Sequence, residues 1–264
     1  MSFAPFIAGS GYGGWAALAR TRDRQMTALA NSADVRRDEA YFRDKIGSVK
    51  TAADLVSDAR LLRVSLTAFG LENDVGNRAF IRRILEDGTL KADALAHKLS
   101  DKRYLEFSKA FGFDLSIPRN QMSDFADKTL AAFKERRFEA AVGQQSEGIR
   151  VALNAQRELS VIAKGSGSVT TKWFRILGAP PLRKFVEGAL GLPPSFGAID
   201  LDQQVQAVRD KLDRRLGTDD PAAFADPRHM DKMIRLFLAR DGQTPASTSR
   251  AQMALQLLSP AGDG

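Results

Sequence analysis

Leu61-Leu62-Arg63-Val64-Ser65-Leu66-Thr67-Ala68-Phe69-Gly70-Leu71 and, 121 residues further on, Leu182-Arg183-Lys184-Phe185-Val186-Glu187-Gly188-Ala189-Leu190-Gly191-Leu192 read as two versions of one helical unit. In the first, Leu62, Leu66 and Phe69 fall at i, i+4 and i+7. In the second, Leu182, Phe185, Val186, Ala189 and Leu190 make a broader stripe. Apolar groups on one side of a helix need a partner to cover them, so each unit calls for further helices. Gly70 and, later, Gly88 stand where helices should stop, because glycine accepts the left-handed closing conformation.

The surrounding sequence supplies those helices. Phe80, Ile81, Ile84 and Leu85 follow the first unit, and Leu201, Val205, Val208 and Leu212 follow the second. A later helix has an acidic start in each case, Asp101-Lys102-Arg103-Tyr104 and Asp226-Pro227-Arg228-His229. Its apolar face is Tyr104, Phe107 and Phe111 in the first and Met230, Met233, Ile234 and Phe237 in the second. Thr51-Ala52-Ala53-Asp54 reads as a capping-box variant. Pro180-Pro181 and Pro193-Pro194 bracket one helix, since proline suits a helix start and forbids its continuation. No stretch alternates as a half-buried strand would, so the expected class is all-α.

Asn120 to Lys164 has no proline and is rich in good helix formers. Leu130 and Phe133 lie on one seam, and Val151, Ala155, Leu159 and Ile162 on another. As one helix it would run about 65 Å, with Gly143 and Gly148 as its weak points. The expected organisation is two related helical lobes joined by this long central helix, with flexible arms at both ends. In numbers, residues 1–37 are an N-terminal arm and short helix, 38–118 the first lobe, 119–166 the central helix, 167–242 the second lobe and 243–264 a C-terminal tail. Within that tail, Met253, Leu255, Leu257 and Leu258 are candidates for docking.

The 264 residues contain no Cys, which excludes disulfides, thiolate metal sites and Cys nucleophiles. The net charge is +7, and residues 130–184 hold ten Lys or Arg against four Glu and no Asp. Such a stripe is the solvated face of a helix or an electrostatic docking surface. Arg136, Arg137, Arg150 and Arg157 are its candidate contacts. Nucleic acid is not the expected partner, because no recognition-helix or RNA-module signature accompanies the charge. No apolar run is long enough to span a bilayer, and no basic residue precedes Arg20, so neither a membrane span nor a Sec signal is expected.

Catalytic patterns are weak. Gly9-Ser10-Gly11-Tyr12-Gly13-Gly14 has G-x-G-x-x-G spacing, but no strand precedes it and no acidic strand end follows, so no dinucleotide is expected. The two histidines, His97 and His229, lack metal-ligand spacing, and adjacent acidic pairs such as Glu86-Asp87 and Asp219-Asp220 suit turns and caps. The expectation is no enzyme activity, no cofactor and no metal. Phe3, Phe6 and Trp15 on the glycine-rich N-terminal stretch are the aromatic candidates for a partner contact.

The run Tyr41-Phe42-Arg43, Thr51-Ala52, Asp54-Leu55-Val56, Leu61-Leu62, Ala68-Phe69-Gly70-Leu71, Phe80-Ile81, Arg103-Tyr104 and Phe111-Gly112-Phe113 resembles a bacterial domain of unknown function encoded among flagellar genes. The likeness continues through Trp173-Phe174-Arg175 and Leu182. It implies an all-helical protein tied to flagellar structure, assembly or regulation, with flagellar proteins as partners and no catalytic residues to carry over. The expected place is the cytoplasm or the flagellum. A cytoplasmic export chaperone or regulator is the alternative role, and a nucleic-acid-binding helical protein a further one.

Overall fold

The structure is a computed structural model that describes residues 3–241. It has thirteen α-helices and no strand among the described residues. The chain divides into two compact units, one of residues 3–6 and 20–145, the other of residues 7–19 and 146–241. The tail expected from residue 243, with Met253, Leu255, Leu257 and Leu258, lies outside the described residues.

α1 (Gly11–Ala30) contributes its second half to the first unit and its first half to the second. From Gly11 on, the N-terminal stretch is therefore one long helix, where an arm and a short helix were expected. Its apolar groups are the reason: Trp15, Leu18 and Leu29 are all buried. Gly14 serves packing, since a β-carbon there would stand 2.8 Å from the Gly9 carbonyl oxygen and 3.2 Å from Cδ1 of Ile149.

The first unit continues with α2 (Ala33–Lys45), α3 (Ala52–Ser57), α4 (Ala59–Ala68), α5 (Arg78–Asp87), α6 (Leu95–Lys98), α7 (Arg103–Phe111) and α8 (Phe125–Gly143). α4 lies against α8, α2 and α3, and α3 against α5. Thr51 and Asp54 form the expected capping box. The Thr51 hydroxyl accepts from the Asp54 N–H at 3.1 Å, and the Asp54 carboxylate accepts from the Thr51 N–H at 2.9 Å. A chain of rings fills the space between α4, α7 and α8. Phe69–Phe107, Phe107–Phe111 and Phe111–Phe125 meet edge-on at 5.3, 5.1 and 5.0 Å, the geometry aromatic quadrupoles favour.

The second unit holds α9 (Glu147–Lys164), α10 (Val169–Leu177), α11 (Pro180–Leu190), α12 (Leu201–Leu216) and α13 (Pro227–Asp241). α11 packs on α13 and α9. Val205, Val208 and Leu212 are buried as their spacing predicts, but Leu201 at the head of the same stripe stays exposed. A helix stripe is covered only as far as its neighbours extend.

Residues 119–166 do not form one helix. α8 stops at Gly143, and Ser146 takes an extended conformation whose hydroxyl accepts from the Ile149 N–H to start α9. The Gln145 side chain donates to the Pro5 carbonyl at 2.5 Å, holding the turn from 140 residues away. Gly148 is not a weak point but a close approach, because a β-carbon there would overlap the Asp241 carboxylate.

Asp58 begins α4 by accepting from the N–H groups of Arg60 and Leu61, and Tyr41 donates its hydroxyl to the other oxygen at 2.6 Å. Burial opposes the charge on Asp58. The bonds from Tyr41, Leu61 and Arg60 outweigh it and hold the carboxyl below its usual 3.8. A depressed folded-state pKa contributes stability above the unfolded value, about 3.9, and that stability is lost as pH falls through the folded one. The melting temperature is therefore expected to drop below about pH 4, and Asp58→Asn to make that drop shallower in thermal melts across pH 2–7.

Candidate interaction surfaces

The glycine that ends each opening helix is built alike. After α4, Leu71 N–H donates to the Leu66 carbonyl at 2.8 Å and Gly70 N–H to that of Thr67 at 3.0 Å. After α11, Leu192 N–H donates to Glu187 at 2.9 Å and Gly191 N–H to Gly188 at 3.3 Å. Both glycines have positive φ, +71° and +62°, and this hydrogen-bond pair is the Schellman ending. An arginine from the partner helix lies over each. A β-carbon would stand 3.1 Å from Cζ of Arg136 at Gly70 and 3.2 Å from Cζ of Arg240 at Gly191. A second cation then meets the glycine carbonyl, Arg103 at Gly70 and Lys211 at Gly191 (2.9 Å). Positive charge at a helix C-terminus offsets the exposed carbonyl dipoles.

This makes α13 the counterpart of α8, with Phe133-x-x-Arg136 and Phe237-x-x-Arg240 in like positions and both phenylalanines buried. The sequence pairing of the Asp101 and Asp226 helices holds only for the local turn. Asp101 accepts from Arg103 N–H and Asp226 from Arg228 N–H, and each carboxylate pairs with that arginine. The Arg228 guanidinium holds the Asp226 carboxyl at about 2. The glycine-to-arginine span is 66 residues in the first unit and 49 in the second, and the extra length accommodates α7.

The candidate arginines are already engaged. Arg136 faces Gly70 and pairs with Glu139 at 3.8 Å, Arg137 pairs with Asp34 at 2.6 Å, Arg150 with Glu147 at 2.6 Å and Arg157 with Glu158 at 2.6 Å. Hydrogen bonding from Arg150 is the main cause that keeps the Glu147 carboxyl below its ordinary range. Each of the four is thus matched by a carboxylate of its own unit.

The aromatic candidates separate. Trp15 is core. Phe3 is half-buried, its ring 6.1 Å from that of Phe138. Phe6 is 72% exposed. Its backbone is clamped by one side chain, the Gln25 amide, which accepts from Phe6 N–H at 2.8 Å and donates to Phe6 C=O at 2.9 Å. Neither the clamp nor its consequence was legible in sequence, where Gln25 is one polar residue of a helix.

A further feature of the first unit is an open cleft of about 580 Å³. Ala68 and Phe69 of α4, Ala110 of α7 and Phe125 and Ala132 of α8 form its apolar floor. Arg119, Lys128 and Asp124 line it as well, a net positive set. Lys128 is paired with Asp124, whereas Arg119 is exposed and forms no ion pair among the described residues. Small side chains from three helices, Ala68, Ala110 and Ala132, line the trough. Sequence shows small residues on each helix but not that they share one cleft.

Several other ionisable groups are tied to nearby side chains or backbone. Asp38 is buried against Arg63 at 2.7 Å. Burial first, then the hydrogen bond to Asp74, pushes the Tyr104 hydroxyl up to about 12. His97 and His229 face the carbonyls of Thr89 and Ala223 at 3.0 and 3.3 Å. Among the described residues no His, Asp and Glu cluster is placed to hold a metal ion, and no helix is long and apolar enough to cross a membrane.

A crystal structure of protein AGR_C_984 from Agrobacterium tumefaciens is similar to this chain at 25% identity and a TM-score of 0.74, covering 91% of this chain and 98% of that one. No curated protein matches the sequence. The family model described as a protein of unknown function, DUF1217, matches residues 68–230, from the end of α4 into α13. That match takes in both glycine endings and the whole of α5 to α12, and the chain belongs to the DUF1217 family.

Proposed function

We propose that this chain works by protein–protein contact, as a structural or assembly component of the bacterial flagellum, without turnover of a substrate. Phe6 carries the reading. A ring held out into water by a two-point clamp on its backbone keeps its geometry before a partner arrives, which lowers the entropy cost of docking. The flagellar setting rests on the resemblance of the sequence to a domain encoded among flagellar genes. Internal matching of Arg136, Arg137, Arg150 and Arg157 favours protein contacts over a phosphate backbone.

Fractionation of flagellated cells into cytoplasm, basal bodies and medium tests the role. Recovery with basal bodies is expected, whereas a soluble one-to-one complex absent from basal bodies would mark an export chaperone and overturn the structural role. Phe6→Ala is expected to change stability by no more than about 0.5 kcal/mol, as at most surface sites, while reducing recovery with the basal-body fraction. Wild-type recovery of that variant would remove Phe6 from the contact.

A further inference from the structure

We infer that this chain associates with copies of itself head to tail, the loop Ile199-Asp200-Leu201-Asp202 of one copy seating in the Ala68–Phe69–Ala110–Ala132 cleft of the next. The inference deepens the reading of the chain as a contact protein, but it concerns purified protein alone and stands or falls without the flagellum.

The loop has the complementary character. Ile199 and Leu201 are 40% and 47% exposed, large aliphatic groups held out of the core at the head of α12. Asp200 and Asp202 are exposed and form no ion pair among the described residues. The loop is also held in place. The buried Gln204 amide donates to the Ile199 carbonyl at 2.7 Å, and its own oxygen accepts from Arg183 at 2.8 Å.

The cleft answers each feature. Its alanine and phenylalanine floor receives apolar side chains, and Arg119 in its lining is a cation without a counter-charge among the described residues. Opposite charges on facing patches set register and disfavour wrong partners, while covered apolar area supplies the attraction. Loop and cleft are different patches, so the contact is heterologous. Such contacts add copies in sequence until a ring closes or a filament grows.

Sedimentation velocity from 1 to 200 µM tests this, in 50 mM and 500 mM salt. The wild-type mass is expected to rise above the 28.9 kDa monomer with concentration, and the rise to weaken in high salt. Arg119→Asp and Asp202→Arg should each weaken association about tenfold or more. Mixed together, the two variants should associate again in alternation, because the loop of each then meets a cleft of opposite charge on the other. Ala132→Trp, which fills the cleft, should abolish association while circular dichroism and melting show a folded chain. A monomer at every concentration would overturn the inference and leave the cleft to a different protein. So would association indifferent to both charge reversals, or failure of the mixture to regain association.

Discussion

Gly88→Ala is expected to destabilise the first unit by about 3–5 kcal/mol, a large loss for one added methyl. Gly88 closes α5 at φ +69° and ψ −151°, a region open essentially to glycine alone, and forcing another residue there costs about 1–3 kcal/mol. The added carbon would also overlap the Asp114 side chain. Asp114 has its own task, accepting from the N–H groups of Thr89 at 2.6 Å and Leu90 at 3.0 Å to tie down the chain after α5. Moving it forfeits hydrogen bonds to a charged acceptor, each worth about 1.5–3 kcal/mol where water does not compensate. Urea melts of Gly88→Ala, Asp114→Gly and the double variant separate the causes, since removing the whole Asp114 side chain, its β-carbon included, abolishes the overlap and leaves the backbone strain. Gly76→Ala is the control, with an ordinary φ and open space around its α-carbon. A loss at Gly88 below about 1 kcal/mol would contradict the strain that the backbone implies.

Gly88 also shows why helix ends were legible in sequence. Glycine after a 3.6-period stripe is a local signal, and the capping box at Thr51-Asp54 is equally local. The break between α8 and α9 was legible only as a weak point at Gly143, where α8 does end, because Gln144-Gln145 are good helix formers and the turn itself depends on Ser146 and on a bond from Gln145 to Pro5. The burial of Trp15 was hidden for the same reason: glycines around it suggest freedom until the packing partners are known. Leu201 errs in the other direction. Its spacing places it with Val205, Val208 and Leu212, but spacing gives the face of a helix and not where along its length the cover ends. The cleft draws on α4, α7 and α8, and no single stretch of sequence contains it.

The likeness between Tyr41-Phe42-Arg43 and Trp173-Phe174-Arg175 leads to the second large effect. Burial does not follow that alignment. In α2 the middle residue, Phe42, is fully buried, whereas in α10 it is Trp173 that is buried and Phe174 is exposed. Trp173 thus has a role of its own. Its ring meets Phe224 edge-on at 6.3 Å, and its indole N–H donates to the Asp219 carbonyl at 3.0 Å. Asp219 in turn holds Arg209 of α12 through its carboxylate at 2.5 Å. One side chain therefore joins α10 to the turn between α12 and α13. Trp173→Ala removes the largest fully buried ring and leaves that carbonyl without its donor. Truncations of this kind cost about 3–5 kcal/mol, and the unpaired acceptor adds about 1–3 kcal/mol wherever water cannot reach it. Trp173→Phe keeps most of the apolar volume and loses the hydrogen bond, so its cost should fall well below that of the alanine variant. Urea melts followed by circular dichroism check the order. Equal losses for the two variants would mean that the hydrogen bond, and not the filled volume, holds this corner together. A loss below about 1.5 kcal/mol for Trp173→Ala would mean that the site collapses around the gap, against the close packing of its neighbours.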